Sequence, residues 1–414
     1  MGSDELLKAR YDETPYRDRV LHDLDLSRLL GLAQMFRLGP SGQDHDEIRV
    51  LDLACASGQH VRQQAARYPG VRFTGVDFSK NEIDAGRKAI EESGAANVEL
   101  VLSDLRKLEI NPGEYDVILC HGVFSWVDDE VKERIFELCR FGLKRSGVAA
   151  IAYLTYPGWK QREAIRELLA FRVKEVDDPD QRVRESALLL KLLHAGYSAA
   201  GEDCHAKYLK SVVEDMQGSA VNAFLHDELG SVHDPCYFVQ FVEWAREWGM
   251  QYLAEVDLGT MALDGLPPNT AGLLQELAPD FLETQQLIDF MVNRSGRLSL
   301  IVRDDAAIDR ALSADTLDGL EFTTNLLPVG DQSLAETGER NFTQLDGKTF
   351  SVEDPCRVAL LERMQADDSD PPTLDELKAA TGERGHKGRD TEQALLHLIA
   401  RGFAIPRRTM ARER

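Results

Sequence analysis

Between residues 46 and 155 short apolar runs alternate with stretches of helical periodicity. The runs IRVLDLAC, VRFTGVDF, VELVLSDL, YDVILCHGV and GVAAIAYLT are β-rich or continuously apolar, as strands buried on both faces must be. Between them, GQHVRQQAARYP, SKNEIDAGRKAIEESG and DDEVKERIFELCRFGLKRSG have helical spacing, and each closes on Gly or Pro. This alternation predicts an α/β fold with a doubly wound parallel sheet, Rossmann-like in plan.

The flanks read differently. Residues 1–45 scan as a short cap of one or two helices ahead of the sheet domain, which spans 46–160. After TYPGW the chain turns to long helical patterns, QREAIRELLAFRVKEV, QRVRESALLLKLLHAG and KYLKSVVEDMQGSAVNAFLHDEL, followed by a mixed patch. Residues 161–305 are therefore expected to form an appended helical and mixed domain. Residues 306–350 are acidic and poorly periodic, which predicts a linker. The final stretch, 351–414, scans as three helices and a strand, a small winged-helix-like domain.

Charge narrows the function. The 414 residues carry a net charge of −23, which argues against a nucleic-acid partner, because phosphate contacts need a basic face. Residues 1–160 hold 26 acids against 21 Lys and Arg, so 161–414 hold −18 of the total. That surface would attract a basic acceptor. No run of about 18 apolar residues appears, and MGSDELLKARYDETPY lacks a basic-then-apolar leader, so a cytoplasmic protein without a membrane partner is expected. The six cysteines form no CxxC pair and read as buried thiols. His226 and His233 lie seven apart near two acids, but no three groups there have ligand spacing; a solvated helix end, and no metal, is expected.

The chemistry concentrates where the first strand ends, in VLDLACASGQHV. In an open parallel sheet the ligand sits at the carboxyl ends of the strands, and a dinucleotide would ask for glycines at spacing two and then three. Here the small residues are Ala54, Ala56 and Gly58, at spacing two and two, with Gln59 in the third glycine's place, so the dinucleotide reading fails. An acid followed by three alternate small residues suits S-adenosylmethionine, whose ammonium group Asp52 can complement. The alanines are expected to keep negative φ and to alter the loop only slightly. Asp77 ends the second strand at ribose-binding spacing, and Asp104 ends the third, where it or the next amide can meet the adenine edge. The expected cofactor contacts are Asp52, Ala54, Cys55 and Gly58, then Asp77 and Phe78, then Ser103, Asp104 and Leu105, and His121 at the end of the fourth strand.

The chain resembles the class I S-adenosylmethionine-dependent methyltransferases that carry a methyltransferase regulatory domain, among them bacterial lysine methyltransferases acting on outer-membrane proteins. The resemblance rests on YDETPY (11–16), VLDLACASG, GVDFS, HGVFSWV (121–127), TYPGW (155–159), DPDQRVRESALLL (178–190), YFVQF (237–241) and QYLAEVDL (251–258). It implies that Tyr11 and Tyr16 close over the cofactor from the cap. It also implies that His121, Phe124, Trp126 and the YLTYPGW loop line the methyl-transfer face. The chain departs from the family at Leu24, Asp25 and Leu26, where Thr-His-Pro is usual, and at Leu154, where Asn is usual; these positions are expected near the acceptor side.

Methyl transfer from a sulfonium is an in-line displacement, so alignment and exclusion of water are the main tasks. His121 is placed to act as a base, with Tyr153 and Tyr156 as further candidates for catalysis. Trp126, Tyr153, Tyr156 and Trp159 could form an aromatic collar, Phe124, Trp126 and Trp159 making the substrate face. Three readings stay open. The acceptor is a protein or peptide, with the appended domains presenting it; or it is a small metabolite; or the chain binds the cofactor without turnover, as a regulator.

Overall fold

The five apolar runs become strands β1 (Ile48–Leu53), β2 (Val71–Asp77), β3 (Val98–Leu102), β4 (Tyr115–Cys120) and β5 (Leu143–Leu154), all parallel. In the computed structural model the described residues are 20–38, 47–201, 203–218, 224–230, 232–263, 266, 268–278, 280–329, 340–344, 347–365 and 370–410. The sheet does not stop at five strands. β6 (Met250–Glu255) and β7 (Gly296–Arg303) complete it in the order β3-β2-β1-β4-β5-β7-β6, with β7 antiparallel to both neighbours. The parallel sheet expected from 46–160 is thus a mixed sheet of seven, and two of its strands come from the stretch expected as a separate domain.

Strand side chains alternate between two cores, as their two-residue period requires. Val50, Val117 and Leu119 face one core with Val61, Phe73, Ile83 and the leucines of helix Leu26–Met35. Leu51, Leu53, Ile118 and Cys120 face the other, with Phe124, Phe136, Tyr153, Phe241 and Tyr252. On that second side Arg297, wholly buried, bridges Asp289 at 2.7 Å and Glu255 at 2.5 Å beneath the ring of Phe238, locking helix Phe281–Val292 to β6 and β7. Helices Trp159–Val173, Pro179–Ala199 and Cys204–Gly218 form a third, smaller core around Leu169, Leu190, Val213 and Met216. Five of the six cysteines are buried, and Cys204 is exposed.

The linker expected at 306–350 is folded where it is described. β8 (Leu320–Thr324) pairs antiparallel with the last strand, β12 (Ala404–Arg408), while β9 (Leu327–Pro328), β10 (Arg340–Thr343) and β11 (Thr349–Val352) form a small sheet of their own. The three expected helices follow at Pro355–Gln365, Leu374–Gly382 and Gly388–Ala400.

β12 lies along the cap helix. A side chain at Gly31 would meet the Pro406 carbonyl oxygen at 2.6 Å, so only glycine permits this approach. Asp25, which caps that helix, is buried at 3% exposure and accepts from Ser27 N (3.1 Å), Tyr68 Oη (3.0 Å), Arg67 Nη1 (3.1 Å) and Arg407 Nη1 (2.7 Å). Leu24 and Leu26 on either side are buried in the core. The expectation that these three departures sit near the acceptor is corrected: they weld cap, sheet domain and C-terminal strand together.

Candidate functional site

The turn after β1 is wound by backbone, not by glycine. Ala54 and Ala56 have φ of +60° and +50°, with Gly58 at +70°, which overturns the expectation of negative φ at the alanines. Their conformation is imposed by hydrogen bonds to the neighbouring strand: Cys55 N donates to the Val76 oxygen at 3.0 Å, and Ala56 N to Asp77 Oδ2 at 2.9 Å. The other oxygen of Asp77 accepts from Ser79 N at 2.8 Å. Glycines do contribute, but from across the turn. A side chain at Gly75 would lie 2.7 Å from Cys55 Sγ, and one at Gly86 would lie 2.3 Å from the Ser57 oxygen. The close packing usually granted by glycines in the turn is granted here by glycines opposite it.

The three acids at the strand ends have different surroundings. Asp52 is buried one residue before the end of β1, and Asp77 is buried at the end of β2. Asp104 caps the short 3₁₀ turn Leu105–Lys107 and is gripped by Arg106 through Nε (3.1 Å) and Nη2 (2.7 Å). That guanidinium holds its carboxyl below the ordinary carboxylate range. A carboxylate so engaged leaves the backbone of Ser103 to Leu105 as the surface that could meet a base edge. Phe78, Ser103 and His121 are half-buried along this rim, while Leu105 and Cys55 are buried. Tyr11 and Tyr16 lie outside the described residues.

The face expected to meet the acceptor lies at the carboxyl end of β5. Residues 232–236 are stitched onto it: Asp234 N donates to the Ser125 oxygen (2.9 Å), Cys236 N to the Leu154 oxygen (3.2 Å), and Tyr156 N and Thr155 Oγ1 to the Cys236 oxygen (3.2 and 2.8 Å). Lys132 anchors the segment further by an ion pair with Asp234. This places His233 between two indoles, its ring centroid 5.3 Å from Trp126 and 5.4 Å from Trp159. Arg166 lies 5.4 Å from the ring centroid of Trp126 and Arg162 5.1 Å from that of Trp159. Both guanidiniums pair with the fully buried carboxylate of Glu228. Burial, then Arg166 and Arg162, push the His233 imidazole down to about 3, so it is neutral. His233 is not the solvated helix end expected of it.

The structure sorts the expected aromatic collar. Trp126 and Trp159 do meet, through His233. Phe124 is fully buried, edge-on to Phe136 and Phe241 at 5.4 and 5.5 Å. Tyr153 is 3% exposed and stacked on Phe241 at 4.0 Å, with its hydroxyl 3.2 Å from Ser299 Oγ; burial pushes that hydroxyl well up. Both belong to the core under the site, which corrects the substrate-face assignment of Phe124 and the catalytic assignment of Tyr153. Large apolar surface outcompeted the polar tip for Tyr153. Tyr156 stays half-buried at the rim and donates to Glu163 at 3.0 Å, while Lys160 lies 3.6 Å from its ring centroid. Burial and then Glu163 raise its hydroxyl, so it donates and does not ionise. Nothing local in SVHDPC marked His233, because what gives it a place is pairing with residues some eighty positions earlier.

Comparison with known proteins fits this geometry. Residues 50–147 match the model of a methyltransferase domain, and 221–303 match that of a predicted methyltransferase regulatory domain. An uncharacterised protein of Rickettsia prowazekii is 31% identical over 240 residues, covering 58% of this chain and 95% of that one. The chain belongs to the class I S-adenosylmethionine-dependent methyltransferases with a methyltransferase regulatory domain. A second uncharacterised R. prowazekii protein is 29% identical over 390 residues, 92% of this chain and 69% of that one. The structure of PKMT2 from Rickettsia typhi in complex with AdoHcy superposes with a TM-score of 0.81 at 26% identity, covering 96% of this chain and 78% of that one.

The methyltransferase uses S-adenosylmethionine, which supplies a methyl group on a positively charged sulfur. The residues present suit it: the glycine-poor turn offers no phosphate cradle, and two buried acids, Asp52 and Asp77, suit a cofactor that carries positive charge. In this methyltransferase the regulatory match supplies β6, β7 and the 232–236 segment, so it completes the sheet and covers the carboxyl end of β5.

Proposed function

We propose that this methyltransferase transfers methyl groups to the amine of a protein or peptide, a lysine side chain being the acceptor class. The observation that carries this is the extent of the likeness to PKMT2, which takes in the helical middle and the C-terminal strands and helices as well as the cofactor domain. Asp52 would meet the ammonium end of the cofactor, Asp77 the ribose, and the Ser103–Leu105 backbone the adenine edge, with Tyr11 and Tyr16 closing from the cap. His121, Trp126 and Trp159 would line the approach of the acceptor. An amine needs no strong base in place if it arrives neutral, so orientation and dryness carry most of the rate. The acceptor is further proposed to be basic, drawn by the −18 carried by residues 161–414. Incubating the chain with methyl-labelled cofactor and lysate fractions separated by size tests the reading. Label in polypeptides that survives acid hydrolysis as methylated lysine supports it; label only in small molecules, or cofactor binding with no transfer, refutes it.

A further inference from the structure

His233 lies between Trp126 and Trp159, on the segment bonded to the carboxyl end of β5. The backbone on its C-terminal side is bonded to Ser125 and Leu154, Arg166 and Arg162 lie against Trp126 and Trp159, and Arg162 pairs with both Glu228 and Asp215. Among the described residues His233 Nε2 and Trp159 Nε1 have no hydrogen-bond partner, and neither atom touches solvent. Buried polar atoms of this kind are rare in folded proteins and carry a cost that a ligand can remove.

A neutral imidazole carries its proton on one nitrogen and accepts at the other; with the proton on Nδ1, Nε2 is the acceptor, and burial together with Arg166 and Arg162 keeps it from taking up a second proton. The reaction calls for such a group. A neutral amine has N–H donors to spare and one lone pair that must point at the methyl carbon. An acceptor that takes an N–H leaves that lone pair free, whereas a donor would occupy it. We propose that His233, carrying its proton on Nδ1, is an acceptor-binding residue whose Nε2, uncovered as the acceptor enters, takes one N–H of the amine and thereby aims its lone pair at the methyl group. The carbon–sulfur bond then breaks with its electron pair on sulfur as the nitrogen–carbon bond forms, and the surplus proton on the methylated nitrogen leaves to solvent. The imidazole holds the amine and does not carry that proton.

This inference rests on the proposed amine acceptor, and the test separates the two. Full-length wild type, His233→Phe and His233→Gln are compared with poly-L-lysine as acceptor and methyl-labelled cofactor. Phenylalanine keeps an aromatic ring between the two indoles and removes the acceptor nitrogen; glutamine restores a neutral acceptor at similar reach. His233→Phe should keep its affinity for S-adenosylhomocysteine and lose kcat about tenfold or more, and His233→Gln should recover most of that loss. If His233→Phe does not fold, His233→Met, which also lacks a comparable acceptor, takes its place. Unchanged kcat in the apolar variant, or glutamine as poor as phenylalanine, overturns the role of His233 while the amine reading stands. A wild type that binds S-adenosylhomocysteine yet methylates no lysine in poly-L-lysine or in any polypeptide overturns both.

Discussion

Replacing Ala56 by glycine should stabilise the protein, although alanine to glycine is ordinarily destabilising. Ala56 is held at φ +50° by the hydrogen bond from its own amide to Asp77. An L-residue in the left-handed region costs about 1–2 kcal/mol, and glycine escapes that cost. Glycine gives back about 0.4–1 kcal/mol through the freer unfolded chain. The difference is a net gain of about 0.8 kcal/mol from the middle of the two ranges, and of about 1.6 kcal/mol at most. Ala54→Gly, at φ +60°, should behave alike, and because the two share one turn their gains need not add. Ala66, exposed on helix Gln59–Arg67, is the control; there Ala→Gly should cost about 1 kcal/mol. Denaturant midpoints read all three variants, and S-adenosylhomocysteine titration checks that the turn still binds. If Ala56→Gly lowers the midpoint as Ala66→Gly does, the turn is unstrained and the amide bond to Asp77 does not force Ala56 into a costly conformation.

Asp77→Ala removes the acceptor of one buried and one partly buried amide, so it should cost about 2–4 kcal/mol of stability as well as weaken cofactor binding; an unchanged unfolding midpoint would mean those two bonds are not formed. Asp25→Asn strips charge from a carboxylate that faces Arg67 and Arg407 and should cost about 3–5 kcal/mol while leaving the rate per folded molecule intact, and altered acceptor choice in a stable variant would return Asp25 to the acceptor side. Burial alone would raise the Asp25 carboxyl, but Arg407, Ser27, Arg67 and Tyr68 together hold it below its ordinary value. Its contribution is therefore full at neutral pH and lost as pH falls below about 4, so acid unfolding should be less steep in Asp25→Asn. Turnover of a basic acceptor at subsaturating concentration should fall as salt rises, since exposed charges are screened beyond about 8 Å at physiological ionic strength, while S-adenosylhomocysteine affinity barely moves; salt-insensitive turnover would leave the −18 with no part in steering.

What was legible in the sequence follows the range of the forces involved. The five parallel strands were readable because burial on both faces leaves continuous apolar runs, and the strand-end acids were readable because each sits at a fixed distance from its own strand. β6 and β7 carried the same kind of run in QYLAEV and RLSLIV, but joining them to β5 depends on hydrogen bonds across long sequence separation, and no local pattern reports those. β8 was lost in an acidic stretch for the same reason: its partner, β12, lies at the other end of the C-terminal region. Even the glycine-poor turn was half legible. Its small residues identified the site, yet the sign of φ at Ala54 and Ala56 was decided by Asp77 and by Gly75 and Gly86 across the turn, which no reading of the turn alone could supply. His233 is the extreme case, a residue whose surroundings come from a 3₁₀-turn residue at 126 and helix residues at 159, 162 and 166. The residues expected to hold the cofactor are therefore local in sequence, and those gathered around His233 are not. The family's chemistry can be recognised from its motifs, while the surroundings of His233 are assembled by contacts that only the fold brings together.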